Sequence, residues 1–443
     1  MTPPVPSTDP ADPADPAGPA PAATGPRSAD DSRSLPDPPP SPHNERAATV
    51  PRSRKAALLT VVAALLALSP AVVAVAARSD APAAPGTSAT GPATGPAALP
   101  PGAEQAAADT KTRLAAENIV DIPVRFTVQN VNRTLAACPV DGKTYQVSGH
   151  LTAPKAVIDG GAGKRAVTLY EHGIAAGEWY WRLDAPGYHH TEELAKKGHA
   201  SLTIDRIGYG ASDKPDGFGS CIGGQADIAH QIVEQLRAGS YRTEQPGQAA
   251  VPFDKVVLAG QSNGSQVSQI EAYSFQDVDG LVVMDWTDLG LTPQANARFF
   301  SSLQTCLRGG SAVDGAGGPG GYAYYDLGTE EFKSGNFHDT EPGVLALSAP
   351  HQNRHPCGDM ASQLGSVLVD MRHIKDIRIP VLFLYGEKDA RVQGGAEHRA
   401  LFTGATDTKL VEVPAAGHYM GMARNAPQVH TALADWLAGH QLG

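Results

Sequence analysis

Past Glu117 the apolar positions of the chain change period again and again. Ile122 to Val131 and Thr144 to Ala153 alternate apolar with polar, the period-two signature of antiparallel strands with one buried face. Ala166–Tyr170, Ala200–Ile204, Val256–Ala259, Leu281–Met284, Val381–Tyr385 and Leu410–Val413 are instead short unbroken apolar runs. Such runs suit strands covered on both faces of a parallel sheet. Helical spacing lies between them, over Asp227–Leu236, Ser265–Tyr273, Gln393–Leu401 and Gln428–Ala438. Strands alternating with helices predict a doubly wound, mostly parallel α/β domain over residues 118–443.

One stretch breaks this rhythm. Between Asp288 and about Ile377 no strand is expected, and a Gly-rich run, Gly309 to Gly321, is flanked by aromatic residues. A long insertion at one point of a regular sheet predicts a cap over residues 289–377. There are no internal repeats.

The first 117 residues read differently. Residues 1–50 are rich in Pro, Ala, Asp and Ser with almost no large apolar side chains, so they bury too little to offset the entropy of ordering and are expected to be disordered. Arg52, Arg54 and Lys55 then precede the apolar run Ala56–Leu68, the breaker Ser69-Pro70 and the small residues Ala71–Ala77. A basic flank, a short apolar core and an Ala74-Val75-Ala76 site predict a signal peptide over 51–77. A membrane anchor is the rival, since Ala56–Ala77 just reaches across a hydrocarbon layer of roughly 30 Å. Pro70 and the alanine-rich second half count against it. In both readings the basic flank sends the rest of the chain outward. No cysteine follows the run to carry a lipid. Fifty residues before a signal are unusual; Val50-Pro51-Arg52 would open an ordinary one if Val50 were an alternative start. Residues 78–117, again Pro, Ala, Gly and Thr, are expected to form an exported flexible linker.

Charge and cysteines narrow the picture. The net charge of −11 is partly carried by the acidic leader, and no basic stripe appears, so nothing points to nucleic acid. Contact with a membrane is expected only through the signal or anchor. All four cysteines, Cys138, Cys221, Cys306 and Cys357, lie in the exported part, which favours two disulfides. Three pairings are possible. Cys138 with Cys221 and Cys306 with Cys357 need no long excursion. No Cys/His spacing suits a metal, and no cofactor is expected.

In open parallel sheets ligands meet the carboxyl ends of strands. Here those ends carry Glu171-His172-Gly173-Ile174, Asp205-Arg206-Ile207-Gly208-Tyr209-Gly210-Ala211-Ser212, Gly260-Gln261-Ser262-Asn263-Gly264, Gly386-Glu387-Lys388-Asp389 and Gly417-His418. Asp285 and Asp288 follow another strand and compete with Asp389 as the acid. Ser262 sits in a G-x-S-x-G turn, where glycines permit a sharp strand-to-helix bend that lifts a hydroxyl into a cleft.

These segments, in this order, resemble the α/β-hydrolase superfamily over essentially all of residues 120–441. The resemblance implies that Ser262 is a nucleophile, His418 its base and Asp389 the acid that orients the imidazole. It also implies an oxyanion hole from the amides of Asn263 and Ile174. Relatives that open epoxides or remove halides use an aspartate at the elbow, so Ser262 points to acyl transfer to water. The expected activity is that of a secreted carboxylic-ester hydrolase acting on small-molecule or lipid esters. A peptidase, an amidase, a perhydrolase or a non-catalytic binding protein of the same fold are the alternatives. The 205–212 loop is expected to support the oxyanion turn and Glu387 to be a solvated turn residue. His189 and His190 are expected on a surface helix. Trp179, Tyr180 and Trp181 either line the pocket or pack the core.

Overall fold

The computed structural model describes residues 103–443 apart from 161–164 and 315–316. The expected leader, the signal or anchor and most of the expected linker lie outside the described residues. Nine strands form the main sheet: β1 (Ile119–Gln129), β2 (Thr144–Pro154), β3 (Ala166–Glu171), β4 (Ser201–Asp205), β5 (Arg242–Thr243), β6 (Lys255–Gln261), β7 (Gly280–Met284), β10 (Val381–Gly386) and β11 (Thr408–Val413). A pair of two-residue strands, β8 (Tyr322–Ala323) and β9 (His355–Pro356), stands apart. The helices are α1 (Ala103–Ala116), α2 (Lys155–Ile158), α3 (His190–Lys196), α4 (Ile222–Ala238), α5 (Asn263–Phe275), α6 (Pro293–Leu307), α7 (Thr329–Asn336), α8 (Pro342–Ser348), α9 (Cys357–His373), α10 (Gly395–Arg399) and α11 (Ala426–Gly439).

The sheet runs β11-β10-β7-β6-β3-β4-β2-β1-β5. It is parallel from β11 to β4, and β2, β1 and β5 pair antiparallel beyond it. Five of the apolar runs occupy its covered middle because successive side chains point to opposite faces and both faces need filling. Leu410–Val413, interrupted by Glu412, is instead the edge strand β11 and only partly buried. Val256, Leu258, Leu281, Val283 and Phe383 join the core beneath α4 and α5. Their alternates Val257, Ala259, Val282, Met284, Leu382 and Leu384 join the core that holds Leu194 of α3 and Leu433 and Trp436 of α11. Leu258 is fully buried; truncation to Ala would cost about 2–5 kcal/mol.

Two differences from the sequence reading have physical reasons. The end of the expected linker is helix α1, which is anchored rather than free. Arg113 grips Glu192 at 2.7 and 3.0 Å, and Leu114 is buried with Ile119 and Ala195. Alanine-rich composition serves a helix as well as a linker, and tertiary contacts decide between them. Within 289–377, β8 and β9 do form, but they are too short to show a period.

The disulfides join Cys138 to Cys221 and Cys306 to Cys357. The second ties the end of α6 to the start of α9. That helix packs against α4 and α5, where the buried Asp370 accepts from Gln266 Nε2 and Tyr273 Oη, each at 2.9 Å. No helix among the described residues is long and apolar enough to cross a membrane.

Candidate active site

Ser262 is the single residue between β6 and α5, with φ 54° and ψ −127°. A non-glycine residue held there stores strain of about 1–3 kcal/mol, so the surroundings must fix it. They do. The Ser262 amide donates to the Met284 carbonyl at 2.7 Å. Ser265 Oγ donates to the Gly260 carbonyl at 2.5 Å and accepts the Met284 amide at 3.0 Å. The flanking glycines are required by space: a Cβ at Gly260 would stand 2.3 Å from the Gly264 carbonyl carbon, and one at Gly264 2.1 Å from the Glu171 carbonyl oxygen.

His418 follows β11 through a turn in which Ala415 takes φ 56°. Its Nδ1 lies 2.8 Å from Asp389 Oδ2, and both side chains are nearly buried. The other Asp389 oxygen accepts the amides of Arg391 at 2.6 Å and Val392 at 3.1 Å, so the carboxylate is fixed before it meets the imidazole. The His418 carbonyl accepts Gln261 Nε2 at 2.9 Å, which ties the histidine loop to the residue preceding Ser262.

The two competing acids are placed differently. Asp288 lies in a separate buried network, accepting from Gln269 at 2.7 Å and Trp286 Nε1 at 3.0 Å and meeting His398 Nε2 at 2.9 Å. Asp285 is close: its carboxyl lies within 4.8 Å of both Asp389 and His418. Its Oδ1 accepts the Gly386 amide at 2.9 Å. Complete burial, and then the charge of Asp389, push its pKa well above the ordinary carboxyl range. Two carboxylates this close do not both ionise readily, and burial favours the protonated form of Asp285.

The third strand end supplies backbone donors. His172 is buried, with Nδ1 2.9 Å from the Gly173 carbonyl and Nε2 accepting the Arg206 amide at 3.1 Å. Burial, reinforced by the Arg206 charge, holds its pKa well below the usual value, so the ring is neutral and donates from Nδ1. The Ala176 amide meets the same carbonyl at 3.1 Å. In a trans peptide the next N–H points opposite to that carbonyl, so the Ile174 amide faces away from His172. Ile174 lines one cavity with Ser262, Asn263 and His418. Asn263 opens α5, where unpaired amides and the helix dipole favour negative charge. Its side-chain oxygen accepts Arg206 at 3.0 Å, which fastens the 205–212 loop to the elbow.

That cavity is small, about 30 Å³. Its remaining walls include residues the sequence did not single out: Gln261, Tyr325, Asn336, Gln363 and Arg391. Trp179, Tyr180 and Trp181 are absent from its lining. Trp181 instead packs on Tyr170 and His190, and Tyr180 on Tyr419. The expectation of a surface position for His189 and His190 is corrected: α3 turns its first residues inward, and both are 2 % exposed. His190 packs between the rings of Tyr170, Trp181 and His430, and burial holds its pKa well below the usual value. Paired histidines resemble a solvated face in sequence; only the aromatic partners, distant along the chain, reveal the burial. Glu387 is an exposed turn residue that accepts the Ala415 amide at 2.9 Å.

Comparison with known proteins gives a family match. The sequence model of the family described as "Alpha/beta hydrolase family" matches residues 169–430. No curated protein matches the chain. Among solved structures, a thermophilic esterase from Thermogutta terrifontis is 20% identical with a TM-score of 0.49, covering 71% of this chain and 99% of that one. A bacterial membrane phospholipase A is 17% identical with a TM-score of 0.45, covering 88% of this chain and 100% of that one. The enol-lactonase from Burkholderia xenovorans LB400 is 15% identical with a TM-score of 0.44, covering 66% and 97%.

Proposed function

The chain belongs to the alpha/beta hydrolase family, and on that premise we propose that it is an exported serine hydrolase that cleaves carboxylic esters with Ser262, His418 and Asp389. One observation carries the reading. A carboxylate already fixed by two amides meets His418 Nδ1 at 2.8 Å, on the wall of the cavity that the strained Ser262 enters.

The chemistry follows from that arrangement. A serine hydroxyl is a poor nucleophile at neutral pH and needs a base for its proton. With Nδ1–H directed at Asp389, His418 keeps Nε2 as the acceptor. Oγ attacks the ester carbonyl carbon as its proton passes to Nε2, and Asp389 stabilises the imidazolium. The carbonyl oxygen becomes an oxyanion received by the Asn263 and Ile174 amides, each such donor contributing roughly 10²–10³-fold. Collapse breaks the bond to the alcohol oxygen, which takes the proton from Nε2. Water, deprotonated by the same nitrogen, then attacks the acyl-serine; the acid leaves and Oγ recovers its proton. Asp285 braces the Gly386 turn by accepting its amide.

Export rests on the signal-like segment 51–77 and on the pairing of all four cysteines in disulfides, which persist in oxidising compartments. The test is hydrolysis of chromogenic acyl esters beside aminoacyl anilides. Esters are expected to be cleaved, with kcat at least ~10³-fold lower in Ser262→Ala. Ester hydrolysis that survives this substitution in a clean preparation would remove the serine from the mechanism. Cleavage of the anilides alone would make the protein a peptidase or amidase.

A further inference from the structure

The geometry points to Arg391 as a specificity-determining residue that recognises an oxygen acceptor on a short substrate group next to the scissile ester. This rests on the serine-hydrolase reading above and names the substrate class for the same site.

Arg391 lies two residues past Asp389 and is 3 % exposed. It lines the cavity with Ser262 and His418. Its Nη2 is paired with the buried Asp326 carboxylate, and its guanidinium lies over the Tyr325 ring at 5.2 Å. A Cβ added at Gly335 would stand 1.9 Å from Nη2, 2.1 Å from Cζ and 2.6 Å from Nε, so that side of the fork is backed by chain. Nη1 is left, and it has no partner among the described residues although fully buried. A buried guanidinium N–H without an acceptor is costly, and beside a cavity it can be completed by a water or a ligand oxygen.

The other walls narrow the ligand. Tyr325 Oη is engaged with the Ala295 carbonyl at 2.9 Å and Trp286 Nε1 with Asp288 at 3.0 Å. The other unpartnered buried atoms on lining residues, Gln261 Oε1 and Gln363 Oε1, are acceptors. Nη1 is therefore the unpartnered buried donor on a lining residue, and a small shift of the side chains over it brings it to a substrate acceptor. The cavity is narrow, about 30 Å³, so a compact group enters it more easily than a bulky one. Asp326 already balances the charge of Arg391, so a neutral ether or carbonyl oxygen can serve as well as a carboxylate. Aligned with Nη1, it gains a charge-assisted hydrogen bond that an alkyl group of the same shape forfeits.

The experiment compares 4-nitrophenyl esters matched in shape: methoxyacetate with butyrate, and hemisuccinate with 4-methylpentanoate. The first pair is normalised by the hydroxide-promoted hydrolysis rate of each ester. The hemisuccinate, whose own carboxylate speeds its spontaneous hydrolysis, is corrected for that background and compared as kcat/KM directly. The protein is expected to prefer at least one oxygenated partner by about tenfold or more. Preference for hemisuccinate alone identifies a carboxylate, and preference for methoxyacetate identifies a neutral oxygen. In Arg391→Met that ratio should fall about 10- to 100-fold. In a second variant, Arg391→Met with Asp326→Leu, no buried charge is orphaned and the ratio should fall equally. A structural disturbance would lower both members of a pair and leave their ratio in place. No preference in the native protein, or the same ratio in a folded double variant, overturns the assignment. Failure to cleave any of the four esters defeats the ester-hydrolase reading itself.

Discussion

The cavity that holds Ser262 is built by two regions under different constraints. Its floor is the set of strand ends: the elbow after β6, the turn after β3, and the loops that carry Asp389 and His418. Its roof comes from the insertion, through Leu291, Tyr325, Asn336 and Gln363. On the floor, main-chain geometry dictates residue type. Gly260 and Gly264 have no room for a Cβ, and Ser262 must hold φ 54°. The roof is held by side chains and one disulfide, and a substitution there alters shape without disturbing the turn that presents the hydroxyl. The lesson is a division of labour: the strand ends fix the reacting groups, while the insertion, which also holds Arg391 through Asp326 and Tyr325, shapes what can reach them.

If that division holds, damage should sort by region. Asp389→Asn, on the floor, should lower kcat by about 10³–10⁴-fold, since an amide presents the wrong partner to His418 Nδ1. Asp285→Asn should stay within about tenfold, because burial disfavours a charge on that side chain and an amide oxygen can still accept the Gly386 amide. Steady-state kinetics of the pair decides the acid, and the reverse order would move the role to Asp285.

Gly264→Ala attacks the floor as scaffold. With its Cβ 2.1 Å from the Glu171 carbonyl, the elbow must shift, at a cost of about 1–3 kcal/mol by thermal melting. Activity should fall with it.

The roof should behave otherwise. The Cys306–Cys357 bond closes a loop of sequence separation 51, worth roughly 4 kcal/mol of unfolded-state entropy in the chain model. Because α9 carries Gln363 on the cavity wall and α6 holds the wall residue Tyr325 through the Ala295 carbonyl, Cys306→Ala with Cys357→Ala should change KM or ester preference several-fold under conditions where the sheet remains folded by circular dichroism. Loss of the fold with no such window would mean that the two regions are one unit.

A change away from both walls should move stability alone. Burial depresses the His430 pKa to about 4, so the folded form excludes a proton that the unfolded chain binds below about pH 6.5. Its contribution is present above that value and lost as the pH falls toward 4. In His430→Leu this acid loss should shrink by about 1–2 kcal/mol at pH 5, read as a smaller drop in Tm between pH 7 and 5. An unchanged drop would assign the acid sensitivity to other groups.

The same contrast explains what could be read from the chain. The sheet was legible because strands covered on both faces are unbroken apolar runs, and the elbow because two glycines and a strained serine leave a fixed spacing. Asp389 and His418 could be placed because each immediately follows such a run. Arg391, Asn336 and Tyr325 could not. They meet through contacts far apart in the sequence, such as Arg391 with Asp326, and nothing periodic announces them. Helix α1 was missed because its holding partners, Glu192 and Asp184, lie more than 70 positions away.

If Ser262 is the nucleophile of a working acyl-transfer site, it reacts with an electrophilic phosphorus reagent that ordinary serines ignore. Treatment of the purified protein with a fluorophosphonate, followed by peptide mapping, tests it without any knowledge of the substrate. A single phosphonylated residue, Ser262, is expected, with labelling sharply slowed in His418→Ala. Labelling at another residue, or none in a folded preparation, would contradict it.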